Sequence, residues 1–219
     1  ARLCRTARFV FSLAEEARAL LGVASEDRSV ALPLVPRRAP PSALAARDIT
    51  CDAALIGTWS WQPNRIGLDW FLSKVIPHLP SDFTVRIAGN LPGGVKSAHP
   101  GIRFVGRVPS AEDFVRSAAV IPLISQAGTG VQLKTIETFE QGWPAVATKR
   151  SLRGIDYIPP NCVMTDDPAA FAQALVAAAR GGVKDVDGSA FYHRQVHALD
   201  VAVRRGMDAL GFALQGEAA

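Results

Sequence analysis

Short apolar runs alternate with helical stretches over most of this chain, and this alternation is the strongest constraint on its fold. The runs fall at residues 53–57, 83–88, 102–105, 119–124, 145–147 and 162–164. The first of them, 53–57, is a continuous apolar run, which is typical of a strand covered on both faces of a parallel sheet. Strands separated by helices predict an α/β fold with a doubly wound, Rossmann-like parallel sheet of about six strands and right-handed crossovers.

A proline-rich segment divides the chain into unequal parts. Residues 35–42 read Val-Pro-Arg-Arg-Ala-Pro-Pro-Ser, and this proline density cannot continue a helix or a central strand. We therefore predict a domain boundary here. Residues 1–36 are interpreted as the end of a preceding domain, 37–50 as a linker, 51–185 as the main domain and 186–219 as a C-terminal helical segment.

The part before the linker has its own strand–helix–strand pattern. Strands are predicted at residues 7–13 and 29–34. Between them, Ser12 and Glu15 have the spacing of a capping box, which predicts that Ser12 caps the intervening helix.

The last part of the chain is predicted to be helical over about residues 189–214. Gly206 and Gly211 are candidates for a break in this helix. His193 and His197 lie four residues apart, but no further ligand type is near them, so we interpret them as surface residues and predict no metal.

Charge and cysteine content narrow the class of function. The net charge is +4 and the pI is about 9.3, which suits an anionic ligand such as a nucleotide, or peripheral contact with an anionic membrane surface. The basic residues are scattered, so nucleic acid is not an expected partner. Cys4, Cys51 and Cys162 are far apart and odd in number, which favours a reducing, cytoplasmic compartment.

A glycine-rich loop followed by a helix is the most informative local motif. Gly128-Thr129-Gly130 precedes the helical stretch that contains Lys134 and Glu137. Glycines let the backbone approach a ligand, and a helix N-terminus offers free N–H groups to a pyrophosphate. Lys134 and Glu137 share one helix face. Taken alone, the same residues also fit a solvent-exposed Lys–Glu pair.

Other ligand-binding residues are expected where the predicted strands end, because doubly wound sheets bind ligands at the carboxyl ends of their strands. These positions are Thr58, Gly89, Gly106, residues 125–130 and Thr148.

The stretch 128–148 resembles the donor-site motif of GT-B-fold glycosyltransferases of the group 1, family 4 type. In that family a glycine-rich loop is followed by a glutamate and then by a Gly-x-Pro-Val-Val-Ala-Thr strand. Here Lys134, Glu137 and residues 142–148 match that order. Further stretches match in sequence order, namely 57–64, 87–89, 105–108 and 166–171. The resemblance covers roughly residues 50–180, and residues 9–36 resemble the end of the family's N-terminal domain.

The resemblance implies roles for individual residues. Glu137 corresponds to the glutamate that binds the ribose hydroxyls. The loop formed by Gly128, Gly130 and Val131 corresponds to the loop whose amides hold the distal phosphate. The turn at Arg107 and Val108 corresponds to the one whose backbone contacts the base.

Two positions depart from the family pattern. The first glutamate of the family's pair is replaced by Thr129, which still offers a hydroxyl. The arginine that follows the first strand in many members is replaced by Thr58. Arg65 and Lys134 are the candidate substitutes for holding the phosphates, and Arg65 fits an ordinary surface role equally well.

The family resemblance implies a glycosyltransferase, retaining in stereochemistry, that uses a nucleotide-diphosphate sugar and no metal or other cofactor. This chain would supply the donor-binding half, with residues 51–185 as the donor domain, and would be inactive alone. The expected acceptor is a glycan or a glycolipid in polysaccharide biosynthesis at the inner face of the plasma membrane. Two alternatives stay open: a nucleotide-sugar 2-epimerase, and a non-catalytic nucleotide-binding domain that has lost activity with Thr129.

Overall fold

The protein is described by a computed structural model that covers residues 2–23, 25, 27–40, 46–91, 93 and 95–212. The first part of the chain forms a small unit. Its elements are α1 (Arg2–Thr6), β1 (Val10–Ser12), α2 (Glu15–Leu20) and β2 (Ser29–Ala31). Strands β1 and β2 pair in parallel, so a strand–helix–strand crossover is present before the linker, as the sequence predicts.

The helix of this unit does not begin as predicted. Ala14 is the N-cap residue of α2 and no side chain caps it. The Ser12 hydroxyl donates instead to the carbonyl of Ala14, at 2.9 Å. The capping box is therefore wrong, because Ser12 belongs to β1 and uses its hydroxyl within the turn that follows.

The larger unit follows the predicted alternation of strands and helices. Its elements are β3 (Cys51–Ile56), α3 (Gln62–Trp70), β4 (Val85–Ala88), β5 (Ile102–Gly106), α4 (Ala111–Arg116), β6 (Ala118–Leu123), α5 (Leu133–Glu140), β7 (Ala145–Ala147), β8 (Cys162–Met164), α6 (Pro168–Arg180) and α7 (Ser189–Leu210). The strands form one six-stranded parallel sheet in the order β5-β4-β3-β6-β7-β8. The predicted fold class is confirmed, and the strand ends differ from the predicted ones by at most a few residues.

Two apolar layers cover the sheet. Leu68 and Phe71 pack on one face together with Phe171 of α6. Phe114 of α4 and Phe139 of α5 pack on the other face. The order of the strands reverses at β3 and β6, which lie side by side in the centre. Such a switch point leaves a crevice at the carboxyl ends of the strands.

The C-terminal helix α7 joins the two units. It packs against α5 and against β2. Gly206 lies inside the continuous helix, and a Cβ there would stand 2.1 Å from the ring of Phe11. A break at Gly206 is therefore wrong, because this glycine allows close packing of the helix on β1. Gly211 does end the helix, in the left-handed conformation.

The proline-rich linker runs beside the larger unit. Its last residues, Pro41 and Ser42, lie outside the described part of the chain. Arg37 contacts α4 through Glu112 and α5 through Glu140. The predicted domain limits stay predictions. Within the described residues, no helix combines the length and apolarity that crossing a membrane requires.

Candidate active site

The glycine loop lies where the sheet reverses its strand order. It follows β6 and leads into α5. Gly128 has φ +92° and Gly130 has φ +83°, conformations that side-chain-bearing residues rarely adopt. Gln132 is the N-cap of α5 and gives no side-chain cap. In the described structure, the backbone N–H groups of residues 129–133 donate to no protein group, so they remain available to an anion.

Two arginines hold the carbonyl groups of this loop. Arg150 Nη1 donates to the carbonyl of Gly128 at 3.1 Å. Arg153 donates to the carbonyl of Gly130 through Nη2 and, at 3.1 Å, through Nε. Both belong to the segment that follows β7. Sequence reasoning missed them, although a basic cluster directly after a predicted strand is a signal that could have found them.

Hydroxyl groups fix the point where the loop begins. The Thr148 hydroxyl donates to the carbonyl of Ser125 at 2.7 Å. The Ser125 backbone N–H donates to the hydroxyl of Ser151, which in turn donates to the carbonyl of Leu123. Thr148 was expected at the ligand edge, but it is fully buried, so its place is in supporting the loop.

A cavity of about 370 Å³ opens between α4 and α5, at the switch point. Its floor is formed by residues of β3 and β6, and the linker residues Pro36 and Arg37 form part of its wall. Lys134 and Glu137 both line it. Glu137 is exposed, on the side of α5 that faces the linker. Glu137, the residue predicted to bind the ribose, therefore lies outside the core and faces the cavity.

The cavity changes the proton affinity of both side chains. Partial burial raises the pKa of Glu137, which Arg37 opposes. Burial lowers the pKa of Lys134, which Glu137 opposes. The Lys134 ammonium also lies 5.7 Å from the centroid of the Trp59 ring. The negative charge of a bound phosphate would raise the pKa of the Lys134 ammonium and so oppose the effect of burial.

A second cavity, of about 520 Å³, opens at the carboxyl ends of β3, β4 and β5. It brings together Thr58, Gly89, Arg107 and Val108, all of which the sequence analysis selected. Gly89 has φ +115°, and a Cβ there would stand 1.9 Å from the carbonyl oxygen of Gly57. Glycine is required because β3 and β4 approach each other closely at this edge.

The remaining predicted residues have mixed placements. Thr129 is exposed at the tip of the loop. Val131 packs near Gly154, where a Cβ would stand 2.7 Å from a Val131 methyl. Arg65 Nε bonds both carboxylate oxygens of Asp69, one turn further along α3, at 2.7 and 2.9 Å. A phosphate role for Arg65 would require it to leave this pair.

Sequence reasoning also missed two charged residues beside the cavity. Arg37 lies 3.1 Å from Glu112 and 3.5 Å from Glu140. Glu140 is completely buried, and its carboxylate oxygens accept no hydrogen bond within the described structure. Among the described residues, no group of three or more His, Cys, Asp and Glu side chains could hold a metal ion.

A parallel sheet whose switch point meets a glycine loop and a helix N-terminus defines a Rossmann-like α/β domain. Residues 52–180 match the model of the family described as glycosyl transferases group 1. The chain belongs to this family, since the match spans more than half of it. No curated protein sequence matches the chain.

Solved structures share the fold at low sequence identity. TarM, from S. aureus, aligns with a TM-score of 0.67 and 14% identity over 94% of this chain and 44% of its own. HepE from Anabaena, in complex with UDP, gives 0.60 and 13% over 94% of this chain and 64% of its own. AviGT4, a glycosyltransferase of avilamycin A biosynthesis, gives 0.54 and 17% over 93% and 64%. The architecture is that of GT-B glycosyltransferases, and the chain spans less than two thirds of each of these proteins.

Proposed function

We propose that this chain binds a nucleotide-diphosphate sugar and is the donor-binding half of a glycosyltransferase. The observation that supports this most directly is the free backbone N–H groups of residues 129–133 beside Lys134 and Glu137. Amides and an ammonium group suit a diphosphate, and an exposed carboxylate suits the two hydroxyls of a ribose. The family match and the complex of HepE with UDP support the same ligand class.

The two cavities suggest how such a donor would lie. The ribose would bind at Glu137, at the mouth of the cavity between α4 and α5. The diphosphate would lie against the loop that contains Gly128 and Gly130. Arg107 and Val108, at the second cavity, remain the proposed contacts to the base.

The chemistry proposed for the site is departure of the nucleoside diphosphate from the sugar. Negative charge grows on the leaving diphosphate as the glycosidic bond breaks. Lys134 and the loop amides would stabilise this charge without a metal ion. Retention of the anomeric configuration and transfer to a glycan or lipid-linked acceptor are parts of the proposal that follow from the family resemblance.

Calorimetry with UDP, GDP and ADP tests the proposal on the purified chain. We expect one of these diphosphates to bind, and Glu137→Ala to weaken it by about tenfold to a hundredfold, the usual effect of losing hydrogen bonds to a charged group. Asp82→Ala, which removes an exposed carboxylate that pairs with Arg180 away from both cavities, serves as the control and keeps the affinity. Failure of all three nucleotides to bind contradicts the proposal.

The exposed Thr129 in place of a glutamate supports one second candidate, a domain that binds nucleotide without catalysis. The family match does not favour the epimerase alternative. A longer protein that contains this chain, incubated with a UDP-, GDP- or ADP-sugar and an acceptor, should release the diphosphate. Binding without release would favour the non-catalytic domain. The chain alone should release none, because transfer requires a facing domain to close over the donor.

A further inference from the structure

Arg153 makes two contacts that belong to different parts of the molecule. Its guanidinium donates to the carbonyl of Gly130, in the glycine loop. Its Nε also lies 3.2 Å from a carboxylate oxygen of Glu16, on α2 of the small N-terminal unit. The Arg153 side chain is 14% exposed and that of Glu16 is 46% exposed, so the contact with Gly130 is shielded from water while the ion pair is partly open to it. Because water screens Glu16, the hydrogen bonds to Gly130 are the stronger of the two contacts.

The contact with Gly130 determines where the loop amides point. In a trans peptide, the carbonyl of one residue and the N–H of the next point in opposite directions. Arg153 holds the Gly130 carbonyl, so the Val131 N–H points away from Arg153. Arg150 does the same for the Gly128 carbonyl and the Thr129 N–H. The two arginines thus turn both free N–H groups away from the segment after β7.

Glu16 gives this arrangement a link to the N-terminal unit. Its carboxylate lies against Nε of Arg153, which also bonds the Gly130 carbonyl together with Nη2. A planar guanidinium can make both contacts in fixed geometry, whereas a lysine ammonium cannot. Any displacement of α2 relative to the sheet would therefore act on the loop through one side chain.

We propose that Arg153 is a positioning residue that fixes the glycine loop for a distal phosphate and couples its shape to the N-terminal unit through Glu16. The inference rests on the proposed function for its ligand, but the loop geometry can be measured without one. The position is distinct from the residues that would touch the nucleotide, because Arg153 acts on the far side of the loop.

The ligand-free test is ¹⁵N relaxation of the Thr129 and Val131 amides in the full 219-residue chain. We expect Arg153→Gln to lower their order parameters, and Glu16→Gln to lower them less. Arg180→Gln is the matched control, since Arg180 pairs with Asp82 on a different part of the surface. Unchanged order parameters in Arg153→Gln overturn the proposal.

The binding test compares UDP with UMP, which lacks the distal phosphate. Arg153→Gln should weaken UDP by about tenfold and UMP by less than about twofold, as expected for a disturbed set of hydrogen bonds to one charged group. Adding Glu16→Gln to this variant should cause no further loss. Equal weakening of UDP and UMP overturns the positioning role.

The variant Arg153→Lys distinguishes the effect of the guanidinium geometry from the effect of its positive charge. It keeps the positive charge, so full recovery of UDP affinity would show that charge alone matters and would overturn the proposal. If Arg153→Gln does not fold, Arg153→Lys and Glu16→Gln provide both measurements. Failure of the wild-type chain to bind UDP, GDP or ADP would contradict the proposed function, while the relaxation data would still decide the loop–α2 coupling.

Discussion

Arg37 Nε, on the linker, lies 3.5 Å from Oε2 of Glu140, a carboxylate that is completely buried at the end of α5. Burial raises the pKa of Glu140 from 4.5 to about 7, Arg37 opposes this shift and Glu137 adds to it. A single arginine thus partly compensates a carboxylate that has no hydrogen bond among the described residues. The linker thus contacts the larger unit at a carboxyl group whose pKa is close to neutral.

Glu140→Gln should remove a pH dependence of stability. Between pH 4.5 and about 7 the unfolded chain has lost this proton while the folded chain keeps it, so folding becomes less favourable as the pH rises, and the loss is complete above about 7. The loss is on the order of 3 kcal/mol. We therefore expect Glu140→Gln to unfold at a higher urea concentration than wild type at pH 8 and at a similar one at pH 4.5.

Urea denaturation at several pH values between 4.5 and 8 measures this effect. Glu112→Gln is the matched control, because it removes an exposed carboxylate from the same arginine and should keep the fall in stability. A Glu140→Gln variant that loses stability in parallel with wild type across this range would contradict the assignment.

Lys134 is expected to discriminate diphosphates from monophosphates. Lys134→Met keeps the length and apolar stem of the side chain but removes the charge. It should weaken UDP binding by about tenfold and UMP binding much less, because a charged hydrogen bond to the diphosphate is lost. Titration calorimetry with both nucleotides measures this. Lys74→Met, on the other face of the sheet, is the control and should leave both affinities unchanged.

Gly89→Ala should destabilise the larger unit strongly. Its Cβ would stand 1.9 Å from the Gly57 carbonyl oxygen, in a backbone conformation with φ +115°. Forcing the two strands apart should cost at least about 2 kcal/mol in the free energy of unfolding. Gly106→Ala is the control: its φ is +69° but no atom lies within 4 Å of the Cβ, so only the backbone strain of about 1 kcal/mol applies. Equal unfolding midpoints for the two variants would contradict this view of Gly89.

The sheet could be predicted from the sequence because its central strands β3, β6 and β7 are mostly buried on both faces. Residues 145–147, for example, are apolar and fully buried in β7. The pairing order could not be derived from the runs themselves, since it depends on contacts between distant segments. Local capping also proved unreliable where a strand competes for the same residue, as at Ser12.

The sequence predicted the part of the candidate site whose residues lie close together along the chain. Lys134 and Glu137 follow a glycine loop, and this order alone places them in the helix that begins after the loop. The residues that support them are distant in sequence. Arg37 bonds a carboxylate 75 residues away, and Arg153 bonds a loop 23 residues away. No periodicity or motif marks such pairs.

Trp59 links the core to the site and provides the last prediction. Its side chain is buried, its indole N–H donates to the carbonyl of Ala88 at 2.7 Å, and its ring lies near the Lys134 ammonium. Trp59→Phe keeps an aromatic ring but removes the shorter of the two hydrogen bonds to the Ala88 carbonyl, which keeps only the Gly57 N–H at 3.3 Å. This loss should lower the free energy of unfolding by about 1 to 3 kcal/mol. Trp61→Phe is the matched control, since Trp61 is exposed and should change stability by less than about 0.5 kcal/mol. Urea denaturation followed by circular dichroism measures the free energy of unfolding of both variants. Equal decreases in the two variants would show that the buried hydrogen bond of Trp59 does not stabilise the fold.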